Sequence, residues 1–236
     1  MAERLSRTER LIGGEAVVRL NAAHVAVFGI GGVGGYAAEA LARGGIGNLT
    51  LVDNDVVAES NLNRQIIATE DAIGEMKTAV MAKRIRSIGE DIRVNEINLF
   101  ILPETIGEID FSMIDYVVDA IDTVSGKIAL AKAAKEHGIP IVSVMGTGNK
   151  LDPCAFLVAD IEQTDTCPLA RVMRKELKKK ANISHMKVVY SKEKALTPEG
   201  DERTPGSVSF VPGVAGMIAA GEVIKDVIKG TGVVPW

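Results

Sequence analysis

Short apolar runs alternate with stretches of helical periodicity along the first half of the chain. Residues 24–28, 49–52 and 116–118 form three such runs, and each one is followed by a glycine or an aspartate. Runs of this length are typical of strands that are buried on both faces of a parallel sheet. We therefore predict buried parallel strands that end at glycine or acidic residues.

Helical segments separate these strands. An alanine-rich stretch at 36–43, apolar residues with i, i+4 and i+7 spacing within 81–88, and residues 128–136 each predict a helix, whereas residues 139–144 predict another strand. Strands that alternate with helices predict an α/β fold, with a Rossmann-like, mostly parallel sheet and helices on both of its faces.

The second half of the chain has a different pattern. Residues 156–159 and 188–190 predict two strands, and residues 169–180 predict a helix between them. The polar stretch 197–207 predicts a loop, and residues 217–228 carry the apolar stripe of a last helix that we expect to pack on the sheet.

No internal repeat or linker divides the sequence, which predicts a single domain over residues 1–236. Within it we assign residues 1–150 to nucleotide binding and residues 151–236 to substrate binding and a C-terminal extension of the same domain. No apolar run approaches the roughly 20 residues that span a bilayer, and the start of the chain lacks the apolar segment of a signal peptide. We therefore expect a cytoplasmic protein without membrane attachment.

Cysteine content and charge narrow the function classes. Cys154 and Cys167 lack the C-x-x-C spacing of structural zinc sites and are too few for a disulfide scaffold. The net charge is −4, yet residues 171–203 hold ten basic and five acidic side chains, a local charge of +5. This distribution is typical either of a polyanion-binding face or of a solvated helix and loop.

A glycine cluster follows the first predicted strand. Gly29, Gly31, Gly32 and Gly34 fit the G-x-G-x-x-G pattern, in which backbone N–H groups and a helix N-terminus bind phosphates. Asp53 comes 19 residues after the last of them, at a strand end where a carboxylate can bind a ribose. These features predict nucleotide binding, but by themselves they also fit an NAD(P)-dependent oxidoreductase.

The polar and cationic residues after this strand favour a triphosphate. Their motifs are LVDND, SNLNRQ and GEMK, and the residues assigned to the nucleotide site are Asp55, Asn61, Arg64, Gln65 and Lys77. Arginine and lysine side chains stabilise charge on a reacting phosphate, with an acidic residue nearby to hold Mg²⁺.

Asp122 is the candidate magnesium ligand. It follows the strand at 116–118 by a few residues, so we expect it at the same carboxyl edge of the sheet as the glycine cluster. We assign Arg64, Lys77 and Asp122 to catalysis, with ATP and Mg²⁺ as cofactors.

The motifs RLSR, GIGGVG, LVDND, SNLNRQ, GEMK and DAID, spread over residues 4–150, together resemble the ThiF-type adenylating enzymes related to ubiquitin activation. In that family the aspartate matching Asp53 holds the ATP ribose, and residues matching Asn61, Arg64 and Lys77 surround the phosphates. The aspartate matching Asp122 binds Mg²⁺.

The arginine of that family that matches Arg7 extends across a dimer interface into the partner's ATP site. The resemblance therefore implies a homodimer and a catalytic role for Arg7.

Within the family the sequence resembles the branch that acts on tRNA. It lacks the two C-x-x-C pairs and the rhodanese-like domain of the sulfur-carrier activators, and the stretches GTGNKLDP and VVYSKE match the tRNA branch. One departure is Cys167, which stands where that branch has an aspartate before the proline. The resemblance implies ATP-dependent dehydration, by cyclisation, of N6-threonylcarbamoyladenosine beside the tRNA anticodon, through carboxylate adenylation that releases AMP and pyrophosphate.

Several alternatives stay open at this point. The sequence also fits an enzyme that adenylates the C-terminal glycine of a small sulfur-carrier protein, and it fits a non-catalytic ATP-binding scaffold. It leaves open a monovalent cation near residues 146–148 and a sulfur-transfer protein as a partner.

Overall fold

The computed structural model describes residues 3–197 and 205–232. The α-helices in these residues are α1 (Ser6–Ile12), α2 (Gly14–Ala22), α3 (Gly34–Gly44), α4 (Lys77–Ile88), α5 (Val124–Glu136), α6 (Pro168–Ala181) and α7 (Val211–Val227). The strands are β1 (His24–Phe28), β2 (Asn48–Val52), β3 (Arg93–Ile97), β4 (Tyr116–Asp119), β5 (Ile141–Val144), β6 (Phe156–Asp160) and β7 (Lys187–Ser191).

These strands form one sheet in the order β3-β2-β1-β4-β5-β7-β6. Every neighbouring pair is parallel except β6 and β7, which are antiparallel. From β1 the chain first adds strands on one side and then returns to place β4 on the other side. This reversal opens a crevice at the carboxyl ends of β1 and β4, the position where open α/β sheets bind ligands. The predicted mostly parallel sheet is confirmed.

Apolar cores cover both faces of the sheet. One core joins residues of α1, α2, α3, α4 and α7 to one face, and two smaller cores join α5 and α6 to the strands from the other side. The helices therefore lie on both faces, as predicted. None of the described helices is long and apolar enough to cross a membrane.

Three elements were not predicted from the sequence. The helices α1 and α2 are short, and their polar residues hide the periodicity of a buried face. Strand β3 lies at one edge of the sheet and consists of RVNEI, whose side chains are all exposed or half-buried. Periodicity detects elements through their apolar faces, so this polar edge strand gave no signal.

The predicted apolar stripe of the last helix is wrong in part. Ala220 and Ile228 of the predicted stripe are buried, but Met217 is 44% exposed, and the small residues Gly213 and Gly216, which precede the predicted stripe, are buried as well. Helix α7 packs on α3 as well as on the sheet, and a Cβ on Gly216 would lie 2.2 Å from the Val33 carbonyl oxygen. Close approach of two helices therefore selects the small-residue face. The predicted loop at 197–207 lies mostly outside the described residues.

A buried ion pair joins α5 to the carboxyl ends of β4 and β5. Lys127 Nζ donates to Asp119 Oδ2 at 3.0 Å, to Ser143 Oγ at 3.1 Å and to the Val144 carbonyl at 2.8 Å. The side chains of Lys127 and Asp119 are both 0% exposed. Every donor of the ammonium is used, so the charge is tolerated inside the protein.

We expect Lys127→Met to lower the free energy of unfolding by about 3–5 kcal/mol, because it leaves the Asp119 carboxylate buried without its cation. Lys132→Met is the matched control on the same helix, since Lys132 is 56% exposed and its loss should cost no more than about 0.5 kcal/mol. Denaturant titrations measure both, and equal losses would contradict the structural role of Lys127.

A second charged cluster ties α7 to the amino ends of β4 and β7. Lys187 Nζ donates to Asp226 Oδ2 at 2.6 Å and to Glu222 Oε2 at 3.1 Å, and the Tyr116 hydroxyl donates to Asp226 at 2.6 Å. Burial alone would raise the pKa of Asp226, but hydrogen bonds from Lys187 and Tyr116 lower that pKa overall. Burial opposes ionisation of Glu222 in the same way, and hydrogen bonds from Lys225 and Lys187 lower its pKa overall.

Carboxylates with lowered pKa values stabilise the fold above their unfolded pKa of about 4, and this stability is lost as the pH falls through the folded pKa. We therefore expect the free energy of unfolding of the wild-type chain to fall more steeply between about pH 5 and pH 3 than that of Lys187→Met. Denaturant titrations at several pH values test this, with Lys132→Met as the control that should follow the wild type. Parallel curves for all three would show that the cluster does not contribute.

Candidate active site

A cleft of about 730 Å³ lies at the carboxyl ends of the parallel strands. Its walls include the glycine cluster after β1, residues 53–55 after β2, residues 120–123 after β4 and residues 144–148 at the end of β5. Each of these segments leaves the sheet at the same edge, which is why residues distant in sequence meet here.

The structure brings most of the predicted site residues to this cleft. They are Gly29, Gly31, Gly32, Asp53, Asp55, Asn61, Arg64, Gln65, Lys77 and Asp122. Gly34 and Arg7 are not among the residues that line it. Arg7 is exposed on α1, so its predicted role in the partner's site stays a prediction.

The glycine cluster allows backbone segments to approach one another closely. Gly29 has φ +86°, and a Cβ there would lie 2.7 Å from the Ala120 carbonyl oxygen. A Cβ on Gly34 would lie 1.7 Å from the Gly29 carbonyl oxygen. Gly34 therefore serves the packing of the loop against α3, while the N-terminus of α3 stays directed at the cleft as an anion-binding end.

Asp53 holds the glycine loop in place. Its Oδ2 accepts a hydrogen bond from the Ile30 N–H at 2.6 Å, and its Oδ1 accepts one from the Asp55 N–H at 2.9 Å. A carboxylate has about four acceptor positions. The half-buried Asp53 thus retains acceptor capacity for a ligand hydroxyl after binding both backbone groups.

The predicted cation Lys77 is already paired. It is 5% exposed at the start of α4, and its Nζ donates to Asp55 Oδ2 at 2.7 Å. Asp55 remains 60% exposed at the rim of the cleft. The ion pair balances the charge of the buried ammonium within the chain itself.

Arg64 and Asn61 lie at the short turn around residues 59–64, between β2 and α4. Arg64 Nη1 donates to the Ser60 carbonyl at 2.9 Å, and Asn61 Oδ1 accepts from the Ala58 N–H at 3.1 Å. These bonds use one nitrogen of the guanidinium and the oxygen of the amide, so the remaining N–H groups of both side chains are available at the cleft.

Two buried polar atoms in the cleft wall have no hydrogen-bond partner among the described residues. They are Gln65 Oε1 and Thr123 Oγ1, and both residues line the cleft. Leaving such an atom unpaired costs about 1–3 kcal/mol, so each of the two atoms calls for a partner such as an ordered water, an ion or a bound ligand. Thr123 was not predicted; its position directly after Asp122, at the junction of β4 with α5, is the signal that could have identified it.

Asp119 and Asp122 have different environments although they are three residues apart. Asp119 is buried by Lys127 and Ser143, whereas Asp122 is exposed in the cleft. Among the described residues no group of three or more His, Cys, Asp or Glu side chains could hold a metal ion. Asp122 on its own suits Mg²⁺, which is usually held by one or two carboxylates together with substrate phosphates.

The C-terminal part of the chain also contributes to the cleft. Residues 205–207 line it beside Gly148. Asn149, which has a φ of +58°, binds Gly206 twice: the Asn149 N–H donates to the Gly206 carbonyl at 2.8 Å, and the Gly206 N–H donates to Asn149 Oδ1 at 2.6 Å. The Asn149 carbonyl also accepts the Leu196 N–H at 2.7 Å. The sequence pattern did not predict this wall.

Comparison with known proteins assigns the family. The sequence profile of the ThiF family matches residues 5–233. The chain belongs to the ThiF family.

Relatives within the ThiF family match nearly the whole chain. It is 39% identical over 244 residues to the tRNA threonylcarbamoyladenosine dehydratase of Bacillus subtilis (strain 168), which covers 97% of this chain and 96% of that one. The identity to the dehydratase of the same name from Escherichia coli (strain K12) is 39% over 206 residues, or 84% of this chain and 77% of that one. A crystal structure of the E. coli enzyme in complex with ATP superposes with a TM-score of 0.91, at 36% identity, over 97% of this chain and 95% of that one.

The Gln65 side-chain oxygen, which has no partner among the described residues, allows a test of whether the cleft of this ThiF-family chain binds ATP. We expect Gln65→Met to leave the free energy of unfolding unchanged or slightly higher, because it removes an unpaired polar group, and to weaken ATP binding about tenfold. Calorimetry with ATP and with NAD, together with denaturant titrations, measures both effects.

Gln163→Met is the control for this substitution because Gln163 is exposed outside the cleft. A loss of stability in Gln65→Met without any change in ATP affinity would contradict the assignment. Tight binding of NAD with no binding of ATP would favour the oxidoreductase alternative instead.

Proposed function

We propose that this chain is an ATP-dependent dehydratase that cyclises N6-threonylcarbamoyladenosine in tRNA. The observation that carries the proposal is a single cleft in which the glycine cradle, two cationic side chains and Asp122 meet, in a chain that matches dehydratases of this name over nearly its full length. Because its substrate is tRNA, the proposal includes a cytoplasmic location.

ATP is the co-substrate that the cleft fits. The glycine cluster and the N-terminus of α3 suit its phosphates, and the free acceptor positions of Asp53 suit its ribose. Gln65 Oε1, buried without a partner among the described residues, would accept a hydrogen bond from the bound nucleotide. Arg64 and Lys77 would stabilise the charge that develops on the phosphates.

Asp122 would hold Mg²⁺ together with the phosphates, and the ion would supply neutralisation of phosphate charge in the transition state. Asp122 suits Mg²⁺ because its carboxylate is exposed beside the glycine cluster, and Mg²⁺ at nucleotide sites is bound by one or two carboxylates together with the phosphates. Asp55 would lose part of its pairing with Lys77 when phosphates enter, because the ammonium then has a second anionic partner.

The chemistry requires no enzyme nucleophile. The carboxylate of the threonylcarbamoyl group attacks the α-phosphorus of ATP, the α–β phosphoanhydride bond breaks, and pyrophosphate leaves with the electron pair. The neighbouring ureido group then attacks the activated carbonyl, loses its proton and expels AMP. The oxygen lost from the substrate leaves in AMP, so the nucleoside becomes lighter by one water.

The cleft residues act in this scheme by orientation and charge. Bringing the carboxylate and the α-phosphate into one site converts a bimolecular step into an effectively unimolecular one. The buried position of Lys77, which is 5% exposed, keeps its charge at a fixed place in a medium of lower dielectric than water, where it stabilises developing charge more strongly.

We also propose the finer organisation that the sequence predicted. Residues 1–150 bind the nucleotide and residues 151–236 bind the substrate within one domain, and the protein acts as a homodimer. Arg7, exposed on α1 and outside the cleft of its own chain, would complete the site of the partner.

Asp122→Asn tests the catalytic proposal. We expect the rate of dehydration at saturating ATP to fall at least about a hundredfold, equivalent to about 2.7 kcal/mol of transition-state stabilisation, while the fold is preserved because the side chain is exposed. The measurement is the mass of the nucleoside released from modified tRNA after incubation with ATP and Mg²⁺. Asp110→Asn, exposed outside the cleft, is the control that should keep full activity.

Retained turnover by Asp122→Asn would contradict the magnesium role. Absence of a lighter nucleoside with the wild-type enzyme would contradict the substrate. If pyrophosphate exchange depends on an added sulfur-carrier protein and is unaffected by tRNA, the carrier-activating alternative is correct.

A further inference from the structure

Helix α6 begins at the cleft and leads away from it. Leu169, the second residue of the helix, lines the cleft, and its Cβ lies 3.9 Å from the position of a Cβ on Gly146. A helix of 14 residues extends for about 21 Å. A large substrate whose reacting group occupies the cleft can therefore extend along the first turns of α6.

The outward face of α6 carries a stripe of cations. Arg171, Lys175 and Lys179 are all exposed, and their i, i+4 and i+8 spacing places them on one face, about 6 Å apart along the helix axis. Ala170, Met173 and Leu177 are the buried residues of the helix, and they lie on the opposite face. We call Arg171, Lys175 and Lys179 the α6 stripe.

Most of the other described basic residues of this region are already engaged within the protein; Lys194, which lies outside α6, is exposed and forms no ion pair within 3–197 and 205–232. Lys178 pairs with Glu162 at 2.8 Å, Lys180 pairs with Glu176 at 2.9 Å, and Lys192 approaches Asp165 at 4.0 Å.

Arg174 and Lys187 have structural roles instead. Arg174 donates to the Thr164 carbonyl and hydroxyl oxygens at 2.8 and 2.6 Å, and Lys187 belongs to the charged cluster with Glu222 and Asp226. Whether residues 171–203 bind a polyanion stays a prediction, and the paired or structurally engaged cations of this segment do not carry it.

The residues of the α6 stripe differ in that none forms an ion pair with another residue in 3–197 or 205–232. Three like charges on one helix face repel one another weakly, and no ion pair offsets this repulsion. The rest of this chain is acidic overall, so such a stripe stands out as a local positive field beside the cleft. A row of unpaired cations at regular spacing matches a regularly charged polyanion.

We propose that the α6 stripe binds the phosphate backbone of the tRNA next to the modified adenosine and orients the nucleoside into the cleft. This inference rests on the proposed function, since it names how the tRNA substrate of that same cleft is held. The stripe positions the substrate through backbone phosphates and does not touch the reacting atoms. It therefore acts on the affinity for tRNA and leaves the chemical step unchanged.

The test compares two variants that each remove three positive charges. The stripe variant is Arg171→Ala, Lys175→Ala and Lys179→Ala, and the control variant is Lys178→Ala, Lys180→Ala and Lys192→Ala. We expect the stripe variant to raise the KM for modified tRNA about tenfold or more near physiological salt with kcat unchanged, and the control variant to raise it less than about threefold.

The salt dependence of tRNA affinity is a second measurement. It would not change if the α6 stripe had only a structural role. Each phosphate contact contributes roughly 0.7–0.9 to the slope of log K against log salt, so the stripe variant should lose about 2–3 from that slope and the control variant much less. The KM for ATP should stay the same in both variants. The single conservative substitution Arg171→Lys retains the positive charge, so it should preserve most of the affinity for tRNA.

The outcomes separate this inference from the proposed function. If the wild-type enzyme yields the lighter nucleoside and the two variants lose tRNA affinity equally, the effect is one of net charge and the stripe proposal is overturned. If the stripe variant keeps the affinity of the wild type for tRNA, or loses affinity only for an acidic carrier protein, the proposal is overturned as well. If the wild-type enzyme does not act on modified tRNA at all, the proposed function itself has failed.

Discussion

The contact between Lys127 and Asp119 is the interaction on which the geometry of the cleft depends. It fixes the carboxyl end of β4 to β5 through Ser143, and both charged side chains are fully buried. The other oxygen of Asp119 accepts the Ile121 N–H at 3.2 Å, which bends the chain as it leaves the strand. That bend directs the Ala120 carbonyl toward Gly29 and brings Asp122 and Thr123 to the cleft. A charge pair outside the cleft lining thus sets where the ligand-facing groups lie.

The two aspartates of one short motif show how burial divides roles. Asp119 is bound by a lysine, a serine and a backbone N–H, and its side chain is 0% exposed, so no ligand in the cleft can reach it. Asp122 has none of these partners and faces the cleft. Lys77 and Asp55 also differ in burial, since the lysine is buried and the carboxylate that pairs with it is exposed. In the proposed function, phosphates would take the place of this carboxylate as the partner of Lys77. The charged side chains of the site are therefore in place before a nucleotide binds. The Asp55 carboxylate balances the buried Lys77 ammonium, so the chain folds without a nucleotide.

The sequence predicted those parts of the fold and site that leave a local pattern. Buried strands appear as apolar runs, and the glycine cluster and the SNLNRQ motif identify the cradle through residue type and spacing. Lys127 left no such signal, since a lysine in KIALAKAAKE has the same neighbours as an exposed one. Residues 205–207 enter the cleft through tertiary contacts alone. Charge counting likewise detected a basic segment but could not tell paired from unpaired cations, which only the positions of Glu162, Glu176 and Asp165 reveal.

The hydrogen bonds of Asn149 have a consequence for how this family can vary. Asn149 binds Leu196 through its carbonyl and Gly206 through its side chain, so the two ends of the connection between β7 and α7 are held at one residue. A change in the number of residues between these anchors would leave the wall formed by residues 205–207 in place, because loop length adds only slowly to the entropy of closure. Asn149 therefore separates the cleft from length changes in the neighbouring segment, so this segment can vary in length while the wall of the cleft is retained.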